Sequence, residues 1–101
     1  MKEQVAVHYA AHTSDWIECF AFTSEENAQE VGEAVRRAMN EYWDSDDLCY
    51  GDILEYELEK IGLPFKLVLC DFDEMTDAPT AEWGAFSAAV YRDTTVIEIE
   101  I

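Results

Sequence analysis

Near the start of the chain Val5, Val7 and Tyr9 alternate with Ala6, His8 and Ala10, the two-residue period of a half-buried β-strand. His12-Thr13-Ser14-Asp15 is rich in turn formers, and Asp15 to Phe22 resumes an apolar pattern at Trp16, Ile17, Phe20 and Phe22, so a β-hairpin is expected. The period then changes. Thr23-Ser24-Glu25-Glu26 has the form of a capping box, the Thr23 hydroxyl accepting from a first-turn amide and Glu26 reaching back. Beyond it Ala28, Val31, Val35, Ala38 and Tyr42 recur at spacings of three and four, which predicts a helix with one face on the sheet. Glu33 and Arg37 supply an i,i+4 pair on its exposed side.

Asp44-Ser45-Asp46-Asp47 interrupts this helix, because short polar side chains compete for backbone hydrogen bonds. A second helix begins at Asp47 or Gly51, buries Leu54, Leu58 and Ile61, and stops at Gly62 before Leu63-Pro64. Phe65 to Phe72 reads as a buried strand, followed by acidic turn chemistry from Asp71 to Pro79. In Ala81 to Tyr91, Trp83, Phe86, Ala89 and Val90 also fit a helical face, but the second half is read as strand. Arg92-Asp93-Thr94 then turns into a final strand, Thr95 to Ile101, with Ile97, Ile99 and Ile101 toward the core and Glu98 and Glu100 toward water. The sum is one α+β domain over residues 1–101, in the order ββααβββ, with a mostly antiparallel sheet backed by two helices.

Half of the residues are apolar and 13% are aromatic, which excludes a disordered acidic chain. No apolar run approaches the ~18 residues of a membrane span, and MKEQVAV lacks the features of a signal peptide, so a cytosolic location is expected. Cys19, Cys49 and Cys70 are odd in number and widely spaced among apolar neighbours, the usage of buried, reduced thiols.

Catalytic and metal signatures are weak. Asp71, Asp73, Asp77 and Glu82 occupy four positions of a calcium loop, but Met75 and Thr76 stand where an oxygen ligand and a glycine are required. The Asp71-Phe72-Asp73 triplet lacks the nucleotide-binding context that would give it a metal role. His8 and His12 on a strand lie ~13 Å apart, too far for one ion. The sequence contains no G-x-S-x-G, Walker A, H-E-x-x-H or G-x-G-x-x-G motif, and Cys49 has no histidine nearby. The expectation is a protein that is not an enzyme and holds neither cofactor nor metal.

Charge changes the picture most. The net charge is −17, against a magnitude of roughly 2 to 8 for an ordinary small domain. Eight carboxylates and no basic residue lie between Glu41 and Glu59, and five more acids lie from Asp71 to Glu82. Asp52, Glu55 and Glu59 form a row at helical spacing, Glu26, Glu30 and Glu33 a second, and Glu98 with Glu100 a short third on a strand. Such spacings resemble that of successive phosphates, and proteins that bind duplex nucleic acid carry matching Lys and Arg arrays.

In size, charge and compactness the chain resembles anti-CRISPR and anti-restriction proteins, with no alignable motif. That likeness implies a phage or mobile-element inhibitor that mimics DNA and blocks the nucleic-acid channel of a host defence nuclease in the host cytosol. A short duplex site such as a PAM-reading cleft suits a 101-residue monomer and favours the anti-CRISPR class. The expected partner is a basic nucleic-acid-binding protein, with no direct contact to nucleic acid or membrane. The candidate contacts are Asp44, Asp46, Asp47, Asp52, Glu55, Glu59, Asp71, Asp73, Glu74 and Asp77, with Trp43, Tyr50 or Tyr56 packing at the centre. Two alternatives use the same acidity: an immunity protein or antitoxin covering a toxin nuclease, and a solvated housekeeping domain of a salt-loving organism.

Overall fold

The computed structural model describes residues 3–12, 16–45, 49–76 and 78–99. In chain order its elements are β1 (Gln4–His12), β2 (Trp16–Ser24), a 3-10 turn (Glu25–Asn27), α1 (Ala28–Trp43), α2 (Tyr50–Lys60), β3 (Lys66–Leu69), β4 (Phe72–Asp73), β5 (Ala78–Pro79), α3 (Ala81–Asp93) and β6 (Thr95–Glu98). The fold is α+β. β1 and β2 form the expected antiparallel hairpin, from Gln4 opposite Ser24 to His12 opposite Trp16. β3 pairs antiparallel with β2, and β6 pairs parallel with β1, giving the strand order β3-β2-β1-β6. β4 and β5 make a separate small hairpin.

The strand alternation sends two sets of side chains to two different layers. Val5, Val7, Tyr9, Ile17, Cys19 and Ala21 pack against Val31, Val35, Ala38 and Met39 of α1 and Ile53, Leu54 and Leu58 of α2. On the opposite face Ala6, Phe20 and Cys70 pack against Trp83 and Val90 of α3, with Phe22, Val68, Phe86 and Val96 around them.

The helix α3 corrects the expectation of strand in the second half of residues 81–91, and with it the expectation of two helices. Thr80 caps it, its hydroxyl accepting from the Trp83 N–H at 3.1 Å, and alanines at 81, 85, 88 and 89 favour the helix interior. β1 is therefore covered on both faces rather than half-buried, because Phe20 and Phe22 of the neighbouring strand require an apolar layer on that side too.

Three local expectations change as well. Thr23 belongs to β2, and its hydroxyl donates to the Pro64 carbonyl at 3.0 Å, tying the exit of α2 to the sheet instead of capping α1. Arg37 reaches across to Glu57 of α2, its Nε 3.5 Å from Oε2. β3 is an edge strand with Leu69 37% exposed, not a buried one. The stop at Gly62 is as expected: its φ of 70° is a left-handed conformation that glycine adopts without a Cβ penalty. Ile101, Glu100 and the hairpin turn at 13–15 lie outside the described residues.

Candidate functional site

α2 lies beside α1 with Ile53, Leu54 and Leu58 buried, and this fixes which of its carboxylates meet water. Asp52, Glu55 and Glu59 are exposed, and at spacings of three and four their Cβ atoms fall roughly 5–6 Å apart. Tyr56 stands among them, 62% exposed. Glu57 turns the other way. It is buried between Arg37 Nε at 3.5 Å and Lys60 Nζ at 3.4 Å, and the Lys60 ammonium also sits 5.2 Å from the Tyr56 ring centre. The two cations of this helical pair nearest the row are thus engaged by a buried carboxylate, and among the described residues none pairs with Asp52, Glu55 or Glu59.

Shallow grooves flank the row on both sides. Glu41 of α1 with Asp52, Ile53 and Tyr56 lines one of about 340 Å³. Cys49, Gly51, Asp52, Glu55, Phe65, Leu67 and Leu69 line another of about 420 Å³ against β3. Glu41 joins the acidic face although it was not among the residues expected from sequence. Its signal was available, since the apolar stripe of α1 runs from Ala38 to Tyr42 and leaves position 41 beside it at the water-facing margin.

The other candidate carboxylates are placed as follows. Asp44 is the exposed C-cap of α1, whose last turn holds no basic residue, so its charge faces the negative pole of the helix. Asp71, Asp73 and Glu74 are exposed at the β4–β5 hairpin, where the Asp73 carboxylate accepts from the Met75 N–H at 2.8 Å and Met75 itself is 95% exposed. This hairpin begins two residues after Cys70, which is buried on the α3 side of the sheet. Asp46, Asp47 and Asp77 lie outside the described residues.

The second row is not uniformly acidic: Arg36 shares a groove with Glu25 and Glu33. Of the third, Glu98 accepts a hydrogen bond from the Tyr91 hydroxyl, and Glu100 lies outside the described residues.

The aromatic candidates separate. Tyr56 is exposed, with the Lys60 ammonium against its ring, whereas Tyr50 is half-buried against the apolar core, and burial with the nearby Cys19 pushes its phenol up to about 12. Trp43 is 41% exposed, with its indole N–H donated to the Tyr9 hydroxyl at 3.2 Å. The thiols divide too. Cys19 and Cys70 are buried and pushed up to about 12, chiefly by that burial, but Cys49 is exposed at the N-cap of α2.

Sequence reasoning missed one cluster, on the α3 side. His8, which the alternation puts on the opposite side of the half-buried strand from Val7 and Tyr9, is buried, with its ring stacked on Phe20 at 4.3 Å. Its Nδ1 is 2.8 Å from the Tyr91 hydroxyl, and its Nε2 is 3.7 Å from Glu18 Oε1, too long for a hydrogen bond. Buried Glu18 accepts from the Trp83 indole N–H at 2.9 Å. The Trp83–Glu18 and Tyr91–His8 contacts thus join α3 to the sheet through polar groups.

Among the described residues there is no group of His, Cys, Asp or Glu arranged to hold a metal ion, and no helix long and apolar enough to cross a membrane. Comparison with protein-family models, with curated proteins and with solved structures finds no match.

Proposed function

We propose that this protein is a DNA-mimicking inhibitor of a phage or mobile element, which occupies the basic nucleic-acid channel of a host defence nuclease in the host cytosol. The observation that carries the reading is the α2 face. Asp52, Glu55 and Glu59 repeat along one exposed row, Glu41 and Tyr56 flank it, and the adjacent Arg37 and Lys60 are drawn onto Glu57. A face of uncompensated carboxylates at phosphate-like spacing presents to Lys and Arg what a nucleic-acid strand presents. Carboxylate pairs with arginine in bidentate geometry, as phosphate does, and Tyr56 adds a flat apolar surface at the centre of the contact. The size of one helical face suits a short duplex site such as a PAM-reading cleft, which favours the anti-CRISPR over the anti-restriction class.

The test is capture of the tagged protein's partners from host lysate at low and high salt, with mass spectrometry of what elutes. Recovery of a nucleic-acid enzyme, displaced by duplex DNA and lost as salt rises, is the expected result. The Asp52→Lys, Glu55→Lys double variant should keep the fold and weaken that capture by ~100-fold or more, since like charges then meet across the interface. Undiminished capture by this variant would remove the electrostatic model. Retrieval of a toxin nuclease encoded beside this gene would assign the protein to the immunity class.

A further inference from the structure

β3 ends the sheet, with β2 on one side and no strand from the described residues on the other. The Cys70 N–H donates to the Glu18 carbonyl at 2.9 Å, and bonded pairs alternate along an antiparallel ladder. Val68 and Lys66, opposite Phe20 and Phe22, therefore bond inward, whereas Leu67 and Leu69, opposite Ala21 and Cys19, turn their backbone N–H and C=O groups outward. Beside this open edge runs the groove of about 420 Å³, with Phe65, Leu67 and Leu69 as its apolar floor and Asp52 and Glu55 on its helical wall. The wall is close: a Cβ at Gly51 would stand 2.7 Å from Leu69 Cδ1, so this glycine lets α2 approach the strand. Lys66 is exposed on the opposite side of the strand from Leu67 and Leu69.

We propose that this groove is a strand-addition site for an extended, basic segment of the partner. The segment pairs its backbone with Leu67 and Leu69, and every second side chain, a lysine or arginine, enters the groove. The aliphatic stems lie along Phe65, Leu67 and Leu69 while the charged ends reach Asp52 and Glu55. Charge decides between occupants. A second copy would bring its own Asp52 and Glu55 to the same edge and add another −17 charge, so the cationic segment is favoured over self-pairing. The groove at β6 does not qualify, since Arg36 already stands among its carboxylates. The proposal rests on the inhibitor reading for the partner's basic character alone.

A short capped peptide of alternating lysine and valine is the probe, with a control N-methylated on the residues whose N–H groups would face β3. The expected result is slowed amide exchange at Leu67 and Leu69 on addition of the first peptide, and binding weakened by ~10-fold or more for the control. Equal binding of the two peptides with unchanged exchange at Leu67 and Leu69 would overturn strand addition while leaving the charged α2 face to serve the inhibitor reading. Failure of both peptides to bind would overturn it as well. Concentration-dependent protection of the same amides without peptide would give the edge to a second copy instead. If lysate capture retrieves no nucleic-acid enzyme but the peptide results hold, the inhibitor reading fails and the strand-addition site stands.

Discussion

The α1–α2 side of the sheet and the α3 side cover the same hairpin, yet each holds its buried carboxylate differently. On the first side Glu57 sits between the two helices, held by Arg37 and Lys60, and the interior against the sheet is mostly apolar, its polar groups including Tyr9 and the hydroxyl of Thr23. On the second, Glu18 and His8 lie on the sheet itself, and Glu18 is met by the neutral indole N–H of Trp83. Two consequences follow. Apolar packing supplies most of the first side's interior, with polar ties at its margins from Thr23 to Pro64 and from Arg37 to Glu57, and its outer surface concentrates charge. The second side trades apolar area for directional bonds, and its helix buries few side chains, chiefly Trp83 and Val90.

The largest effect that separates the two sides is Leu54→Ala. Leu54 is fully buried at the α2–sheet contact, and its truncation should cost about 2–5 kcal/mol, measured by chemical denaturation. A smaller loss would mean that α2 is a loosely held appendage rather than the scaffold of the acidic face. On the other side Trp83→Phe keeps most of the ring but removes the donor to Glu18, for a cost of roughly 1–3 kcal/mol. Adding Glu18→Leu should recover much of that loss, because removing both partners of a buried hydrogen bond is far less costly than removing one. Strict additivity of the two substitutions would show that Trp83 and Glu18 are not coupled.

This contrast also explains what could be read from the chain. α1 and α2 declare themselves through Ala28, Val31, Val35 and Ala38 and through Leu54, Leu58 and Gly62, because one-sided burial against an apolar layer writes a clear period. α3 buries only Trp83 and Val90, so although Trp83, Phe86, Ala89 and Val90 fit a helical face, the pattern does not exclude a strand in its second half. Asp52, Glu55 and Glu59 could be placed on one face from spacing alone. That Glu57 faces inward, and draws Arg37 from a helix 20 residues away, depends on tertiary packing that spacing does not encode. His8 was misjudged for the same reason, since its burial is made by Tyr91 and Phe20 and not by its neighbours in sequence.

Alkaline pH tests both sides together. Burial raises Cys19 and Tyr50 on the first side and Cys70 on the second to about 12, and partial burial with the Glu98 carboxylate does the same for Tyr91, from ordinary values of 9.0 for the thiols and 10.0 for the phenols. The folded state then holds these protons where the unfolded state releases them, so stability should be insensitive to these groups below pH about 9 and fall steadily between about 9 and about 12. Tyr50→Phe should flatten the upper part of that fall. A titration in which Tyr50→Phe leaves the curve unchanged would place this phenol in water.

The smallest expected effect concerns how helices end on the two sides. α3 carries Arg92 in its last turn, a favourable charge at a helix C-terminus, whereas α1 has no base there and is capped by exposed Asp44. If Asp44 is retained for a partner and not for the fold, Asp44→Asn should raise stability by about 0.3–1 kcal/mol at low ionic strength. The gain should shrink as salt is added, because the same screening relieves the self-repulsion of the acidic face and stabilises the parent protein. A loss of stability on this substitution would show instead that the Asp44 carboxylate closes the end of α1, and would remove it from the partner-facing set. A gain that survives high salt would point to local backbone preference as its source, and would say nothing about the charge of the face.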